Sequence, residues 1–203
     1  MKKAVVTGFQ PFGGESINPA WEAVKKMRDV IADAVILKVE VPVEYDRGAA
    51  VIYEVMKQEQ PDVVISIGQA GGRTAITPER IAVNMQDAGA PDNAQVLRTE
   101  HLIYEDGPDA YFSKLPVKKI EKAVREAGIP CSISNTAGLY VCNDVMYHVL
   151  YWIDKEFPDM KGGFIHVPYT TQQVLNKPGQ PSMPLEMITR ALETAVEAVL
   201  KVM

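Results

Sequence analysis

The side chains best suited to nucleophilic chemistry in this sequence are its two cysteines, Cys131 and Cys142. Catalysis by a thiol requires a base within hydrogen-bond reach and a third group that orients the base. Cys131 lies in the run Ile-Pro-Cys-Ser-Ile, which is typical of the start of a buried strand, where a thiol packs as a small apolar group. We therefore interpret Cys131 as structural and Cys142 as the candidate nucleophile.

Cys142 leads into a stripe of apolar residues at helical spacing that begins near Val145, so it is expected at the N-terminus of a helix. Unpaired backbone N–H groups and the positive end of the helix dipole stabilise a thiolate there, which predicts a lowered pKa for Cys142. The same N–H groups could receive an oxyanion. The alternative is an inert thiol, the commoner state of a lone cysteine.

Three histidines could serve as the base. His148 follows Cys142 on the same expected helix, about 120° around its axis, so the two side chains point apart. His101 lies in a polar stretch, where a solvated surface role is expected. His166 ends an apolar run and should lie at the carboxyl edge of a sheet, where open α/β proteins gather their ligands. His166 is therefore the candidate base, and the alternative is a buried histidine satisfied by the backbone.

Glu79 is a candidate for the orienting acid. The run Thr-Pro-Glu-Arg-Ile sets its carboxylate inside an apolar, strand-like segment. The alternative is a simple ion pair between Glu79 and Arg80 or another base. Residue type and spacing do not distinguish Glu79 from the other members of a set of 26 acidic residues.

The elements that must position these residues alternate between β-rich runs and helical patterns. We expect strands at 3–7, 34–41, 62–67, 131–134 and 163–167, and helices at 19–28, 45–56, 117–124, 145–153 and from about 184. This alternation predicts an α/β fold: a three-layer α/β/α sandwich with a mostly parallel, mixed central sheet. The polar stretch 86–109 predicts an irregular excursion or an antiparallel pair, and the proline-rich segment 168–184 a loop, a flap or a subunit contact.

Composition limits the functional classes. The 203 residues, 47% hydrophobic, are enough for one domain spanning 1–203 with a full core. The formal net charge of −5, without a basic stripe, argues against nucleic acid as a partner. Neither a signal peptide nor a stretch that could span a bilayer is evident, which predicts a cytoplasmic protein without a membrane partner. No spacing of cysteines or histidines predicts a metal site.

Two glycine-rich loops follow expected strands, at 8–14 and 68–73. Neither has the spacing of a phosphate-binding or dinucleotide-binding loop. Tight turning is one explanation for both. Phe9 and Phe12, which flank glycines at a strand end, favour a ligand pocket with aromatic walls instead.

These residues resemble the pyroglutamyl-peptidase I family, also called pyrrolidone-carboxylate peptidases, over nearly the whole chain. Five ordered blocks carry the resemblance: 8–14 with 18–21, 68–73, 76–84, 137–138 with 141–143, and 162–168. The resemblance implies a cysteine peptidase that removes pyroglutamate from peptide N-termini through a Cys142, His166 and Glu79 triad and a thioester. In that reading, Glu79 holds the imidazole and favours its charged form.

The resemblance also implies an α/β/α sandwich, a cytosolic location, frequent tetramers, and no cofactor or metal. It implies a substrate pocket formed by Phe9, Phe12, Gln69, Tyr140 and Val141. Since pyroglutamate is a neutral lactam, recognition must rely on shape and on hydrogen bonds to its ring, which would reject proline.

Three positions depart from the family pattern. Tyr140 stands where members often have Phe, Val43 where they have Thr, and Gly89 where many have an arginine. Two other interpretations stay open at this point. A nucleoside phosphorylase-like enzyme would bind phosphate or nucleoside and would not need Cys142, and a binding module would hold lactam-like ligands without turnover.

Overall fold

The computed structural model describes residues 1–203. Its strands are β1 (Lys2–Phe9), β2 (Val30–Ile31), β3 (Ala34–Val41), β4 (Val63–Gln69), β5 (Thr77–Pro78), β6 (Ile81–Val83), β7 (Ala110–Phe112) and β8 (Lys161–Val167). Its helices are α1 (Pro19–Lys26), α2 (Arg47–Glu59), α3 (Val117–Glu126), α4 (Val141–Lys155) and α5 (Leu185–Leu200).

Six strands form the central sheet in the order β2-β3-β1-β4-β8-β5. The four inner strands run parallel, whereas the edge strands β2 and β5 run antiparallel to their neighbours. Because β1 pairs with β3 on one side and β4 on the other, the chain reverses its direction of progress across the sheet at β1. The carboxyl ends of β1 and β4 therefore flank a crevice of the kind in which open α/β sheets bind ligands.

Helices cover both faces of this sheet, because the inner strands carry apolar residues on both sides. Helices α1, α3 and α5 pack over one face, around a core that includes Val6, Ile65 and Ile165. Helices α2 and α4 pack over the other face, around Val64 and Phe164. The predicted α/β fold with a mostly parallel, mixed sheet is confirmed.

Local signals explain several boundaries. Asn18 caps α1, since its side-chain oxygen accepts a 3.0 Å hydrogen bond from the Ala20 N–H, and Pro19 occupies the first helical position. Helix α4 begins at Val141, one turn before the apolar stripe that predicted it. That extra turn includes Cys142, so the cysteine is the second residue of the helix.

Two expected elements differ from the prediction. Residues 131–134 form no strand, because only isolated bridges connect Cys131 with Ile76 and Ser134 with Glu79. The 86–109 stretch is irregular and joins β6 to β7, which form an antiparallel pair. Asn84 anchors it: its amide oxygen accepts from the Ile103 and Tyr104 N–H groups, at 3.0 and 2.9 Å.

None of the helices has both the length and the apolarity needed to cross a lipid bilayer. The longest helix, α5, has 16 residues. Its apolar side packs against α1, α3 and the edge strand β2 instead, which accounts for the burial of Ile188, Leu192 and Val199.

Candidate active site

The sheet and α4 bring the three predicted catalytic side chains to one place. His166 is the penultimate residue of β8, and the antiparallel strand β5 pairs Thr77 with it. Glu79 directly follows β5, so this pairing carries its carboxylate alongside the histidine. Cys142 approaches from the first turn of α4, and its Sγ lies 3.0 Å from where a Cβ on Gly68 in β4 would be.

His166 and Glu79 form a buried hydrogen-bonded pair. The Nδ1 atom of His166 lies 2.7 Å from Oε1 of Glu79, and Glu79 is completely buried. With its proton on Nδ1, the imidazole donates to the carboxylate and keeps Nε2 free to accept a proton. This is the arrangement that orients the histidine of a catalytic triad.

Arg73, from the loop after β4, forms an ion pair with Glu79. An ion pair of Glu79 with a base was the alternative considered from the sequence. The Arg73 guanidinium lies 2.6 Å from Oε1 of Glu79. The alternative partner named from the sequence was Arg80, which makes no ion pair with Glu79 and leaves its Nε without a hydrogen-bond partner. Arg73 lay within a recognised motif, but nothing in residue type or spacing indicated its partner.

The protonation states differ from the expectation for a helix N-terminus. Burial raises the pKa of the Cys142 thiol to about 12; the Glu79 carboxylate adds to this rise and the Arg73 guanidinium opposes it. Burial also lowers the pKa of the His166 imidazole, and Arg73 reinforces this against the opposite effect of Glu79. For His166, which is almost completely buried, desolvation outweighs the opposing effect of the Glu79 carboxylate. Both shifts favour the uncharged forms of the Cys142 thiol and the His166 imidazole.

A cavity of about 860 Å³ opens above Cys142 and His166. Every residue predicted for substrate binding lines it: Phe9, Phe12, Gln69, Tyr140 and Val141. The loops after β1 and β4 supply much of the wall, as expected for loops at the carboxyl ends of parallel strands. Phe9 is almost completely buried and packs on Phe164, whereas Phe12 is partly exposed and lies 6.4 Å from the Tyr140 ring.

The departures from the family pattern have separate structural consequences. The hydroxyl of Tyr140 donates a 3.0 Å hydrogen bond to the Pro91 carbonyl, so the chain itself satisfies this extra polar group. Val43 is buried and lines the cavity. Gly89 is exposed and does not line the cavity, and a Cβ there would meet no other atom within 4 Å.

The segment between β8 and α5 closes one side of the cavity. Lys177 and Glu15 form an ion pair across it, which links this segment to the loop after β1. Gln173 donates to Glu15 Oε2 at 3.2 Å and to Gln69 Oε1 at 2.8 Å. The segment is a loop, and its position over the cavity also agrees with the expected flap, whereas the expected subunit contact stays a prediction. Glu15, Gln173 and Lys177 were not identified from the sequence, because no local pattern indicates contacts between such distant residues.

The remaining candidates lie elsewhere. His101 is exposed, as expected. His148 is buried in a polar cluster outside the cavity lining. Its Nδ1 lies 3.1 Å from Oδ1 of Asp144, and Asp144 also accepts from the Gln86 amide at 2.6 Å and from the Asp46 N–H at 2.9 Å. Burial alone would lower the pKa of His148, but the hydrogen bonds and charge of Asp144 raise it. Except for Gln86 Oε1, which has no hydrogen-bond partner, these polar groups are paired within the cluster, and we interpret the cluster as structural.

Cys131 packs as the sequence predicted. It is buried in the core under α3 and α5. Desolvation raises its pKa to about 12. With no histidine contact and no access to the cavity, this thiol is separate from the chemistry of Cys142.

Comparison with known proteins places the chain in a family. The family model described as pyroglutamyl peptidase matches residues 2–202. The chain belongs to the pyroglutamyl peptidase family. Among its relatives, the pyrrolidone-carboxylate peptidase of Clostridium botulinum is 52% identical over 97% of this chain and 92% of that protein. The pyrrolidone-carboxylate peptidase of Thermosipho africanus is 50% identical over 98% of this chain and 97% of that protein.

Solved structures of family members have the same fold. The pyroglutamyl peptidase I of Bacillus amyloliquefaciens superimposes with a TM-score of 0.96 at 43% identity, over 99% of this chain and 98% of that chain. The pyrrolidone carboxyl peptidase of Thermococcus litoralis gives a TM-score of 0.95 at 42% identity, over 99% of this chain and 94% of that chain. The α/β/α architecture is therefore that of the pyroglutamyl peptidase family.

Proposed function

We propose that this protein is a cysteine peptidase that hydrolyses the bond after an N-terminal pyroglutamyl residue. The observation that carries the proposal is that Cys142 and the His166–Glu79 pair lie together beneath a cavity with aromatic walls. In that pair, His166 Nδ1 lies 2.7 Å from Glu79 Oε1. Membership of the pyroglutamyl peptidase family supports the same activity.

The charges around the cavity favour a neutral ligand. An aminopeptidase needs a free carboxylate to hold the ammonium of its substrate, but Glu15 is paired with Lys177 and Glu79 with Arg73. Pyroglutamate has no ammonium, because its nitrogen is part of the lactam. Phe9 and Phe12 offer apolar surface to the ring. Gln69 offers hydrogen-bond donors to the lactam. Its amide oxygen already accepts from Gln173, but its amide N–H groups have no partner in the chain.

The first step joins the thiol sulfur to the substrate. His166 Nε2 takes the proton of the Cys142 thiol as the sulfur attacks the carbonyl carbon that links pyroglutamate to the next residue. The resulting oxyanion is received by the backbone N–H of Cys142, which at the second position of α4 has no acceptor within the helix. Glu79 holds the imidazole and stabilises the imidazolium that forms.

The second step frees both products. His166 returns the proton to the leaving amine, so the C–N bond breaks and a pyroglutamyl thioester of Cys142 remains. Water then attacks the thioester carbonyl with His166 again as base. Pyroglutamate leaves, and the thiol regains its proton. Neither step calls for a cofactor or a metal.

The assembly and location follow from the family resemblance. We propose that residues 1–203 form one catalytic domain, and that the protein acts as a cytoplasmic homotetramer. Size-exclusion chromatography with light scattering tests the assembly. A tetrameric mass is expected, and a monomer at all concentrations would contradict it.

Release of a chromogenic amine from a pyroglutamyl amide tests the activity, with the matching prolyl amide as control. Wild type should cleave the pyroglutamyl amide alone, and Cys142→Ser should abolish cleavage while remaining folded. Absence of turnover by folded wild type would refute the proposal. Lactam binding without turnover would then indicate a binding module, and phosphate-dependent nucleoside cleavage that survives Cys142→Ser would indicate a phosphorylase-like enzyme.

A further inference from the structure

Arg73 shares one oxygen of the buried Glu79 carboxylate with His166. Its Nη1 lies 2.6 Å from Glu79 Oε1, and His166 Nδ1 lies 2.7 Å from the same atom. The guanidinium is held by two further partners: Nη1 donates to Thr77 Oγ1 at 2.5 Å and Nη2 to the Thr136 carbonyl at 3.1 Å. Three acceptors therefore fix the positive charge in one position.

Glu79 depends on that charge. Its side chain is fully buried, and its second oxygen, Oε2, has no hydrogen-bond partner. Arg73 is the only arginine or lysine within ion-pair distance of it. A buried carboxylate without a compensating cation raises the pKa of a neighbouring imidazole. The protonated imidazole then compensates the negative charge, which lowers the free energy of the charged pair relative to an isolated buried carboxylate. The cation decides which protonation state of His166 the site favours.

We propose that Arg73 is a positioning residue of the catalytic site, which acts through Glu79 and keeps His166 as the neutral base in the resting enzyme. The proposal rests on the proposed function, in which His166 must be neutral to accept the thiol proton. Without Arg73, Glu79 would hold an imidazolium that cannot act as that base. The histidine would then become competent only at higher pH.

The other charged and titratable groups around His166 are few. The loop after β4 contributes Arg73, the segment after β5 contributes Glu79, and the first turn of α4 contributes Cys142. Across the cavity lie the paired Glu15 and Lys177, together with Tyr140 and Tyr169. Because Glu15 and Lys177 compensate each other, Arg73 is the cation whose removal changes the charge around the histidine most.

The test measures the protonation of His166 directly. The protein has three histidines, so ¹³C-labelled imidazole resonances can be assigned by the loss of one signal in His166→Gln. In Arg73→Met, the titration midpoint of His166 should rise by about one pH unit, at the lower end of the shifts that a nearby charge produces. Arg73→Lys should restore most of the wild-type value. Arg47→Met, at an exposed arginine paired with Glu44, is the control and should leave it unchanged.

Arg73→Gln separates charge from geometry, since its amide can still donate to Glu79. It should raise the midpoint as Arg73→Met does, and it provides the measurement if Arg73→Met fails to fold. The acid limb of kcat/KM should move upward with the midpoint, because that limb reports the base of the free enzyme. An unchanged or lower midpoint in a folded charge-free variant would overturn the proposal.

The resonance titration needs no turnover, so the two proposals fail separately. Suppose that the midpoint rises in the Arg73 variants but the wild-type protein never cleaves pyroglutamyl amides. That result would refute the peptidase and retain the role of Arg73 in tuning the histidine. Normal cleavage with an unchanged midpoint would refute the role of Arg73 and retain the peptidase.

Discussion

The packing of Gly68 against the thiol gives a quantitative prediction. A Cβ at this position would lie 2.7 Å from Cζ of Phe164 and 3.0 Å from Sγ of Cys142. Carbon atoms in contact prefer about 3.5–4.0 Å, so the ring or the strand would have to withdraw by roughly 1 Å. Phe164 is completely buried and has little room to do so. Gly68→Ala should therefore disturb both the core and the nucleophile.

The expected loss has two parts. Overpacking of this kind costs about 1–3 kcal/mol in the free energy of unfolding. A displacement of the reacting group by about 1 Å can lower the rate roughly 100-fold, so kcat/KM for a pyroglutamyl amide should fall by about that factor. Urea denaturation and amide hydrolysis measure the two effects on the same preparation.

Gly89→Ala is the matched control, because a Cβ at Gly89 meets no other atom within 4 Å. This variant should keep wild-type unfolding and wild-type kcat/KM. If Gly68→Ala behaved in the same way as Gly89→Ala in both measurements, the close contact between β4 and the Cys142 thiol would be refuted.

Three further predictions follow from the contacts around the site. Tyr140→Phe should leave KM unchanged and lower the free energy of unfolding in urea by about 0.5–1.5 kcal/mol, because it removes a hydrogen bond to the Pro91 carbonyl. A large rise in KM would mean that the hydroxyl contacts the substrate. Burial raises the pKa of Cys131 from 9.0 to about 12, so its contribution to stability is complete below pH 9 and declines as the pH rises toward 12. Cys131→Ala should reduce this alkaline loss in denaturation curves, and an unaltered slope would contradict the assignment. Asp144→Ala should cost about 3–5 kcal/mol, because it leaves His148 and its neighbours without their buried acceptor, and a loss below about 1 kcal/mol would contradict it.

The sequence predicted the fold well where apolar periodicity dominates. The expected strand at 34–41 coincides with β3, and the other parallel strands differ by only a few residues at their ends. It failed at 131–134, which has strand-like composition but forms only isolated bridges to the residues around β5. Composition indicates only the intrinsic preference of a segment for extended backbone. A strand also needs a continuous row of hydrogen bonds to a neighbouring strand, and the chain supplies none at 131–134.

The site was predictable in part. A cysteine at a helix N-terminus and a histidine at a strand end are local patterns, so Cys142 and His166 could be selected from the residues. Glu79 came from the family resemblance, since its partner lies far away in the sequence. The ion pair with Arg73 and the pKa directions could not be predicted, because both depend on burial and on distances that only the folded chain defines.

The central claim is that Cys142 becomes acylated by the pyroglutamyl group. Pyroglutamyl p-nitrophenyl ester tests it directly, because an activated ester acylates quickly and makes thioester hydrolysis the slow step. Stopped-flow absorbance should show a burst equal to the enzyme concentration. Mass spectrometry of the acid-quenched protein should then place one pyroglutamyl group on the peptide that contains Cys142. Turnover of the ester without a burst, or with the label on any other residue, would contradict the account.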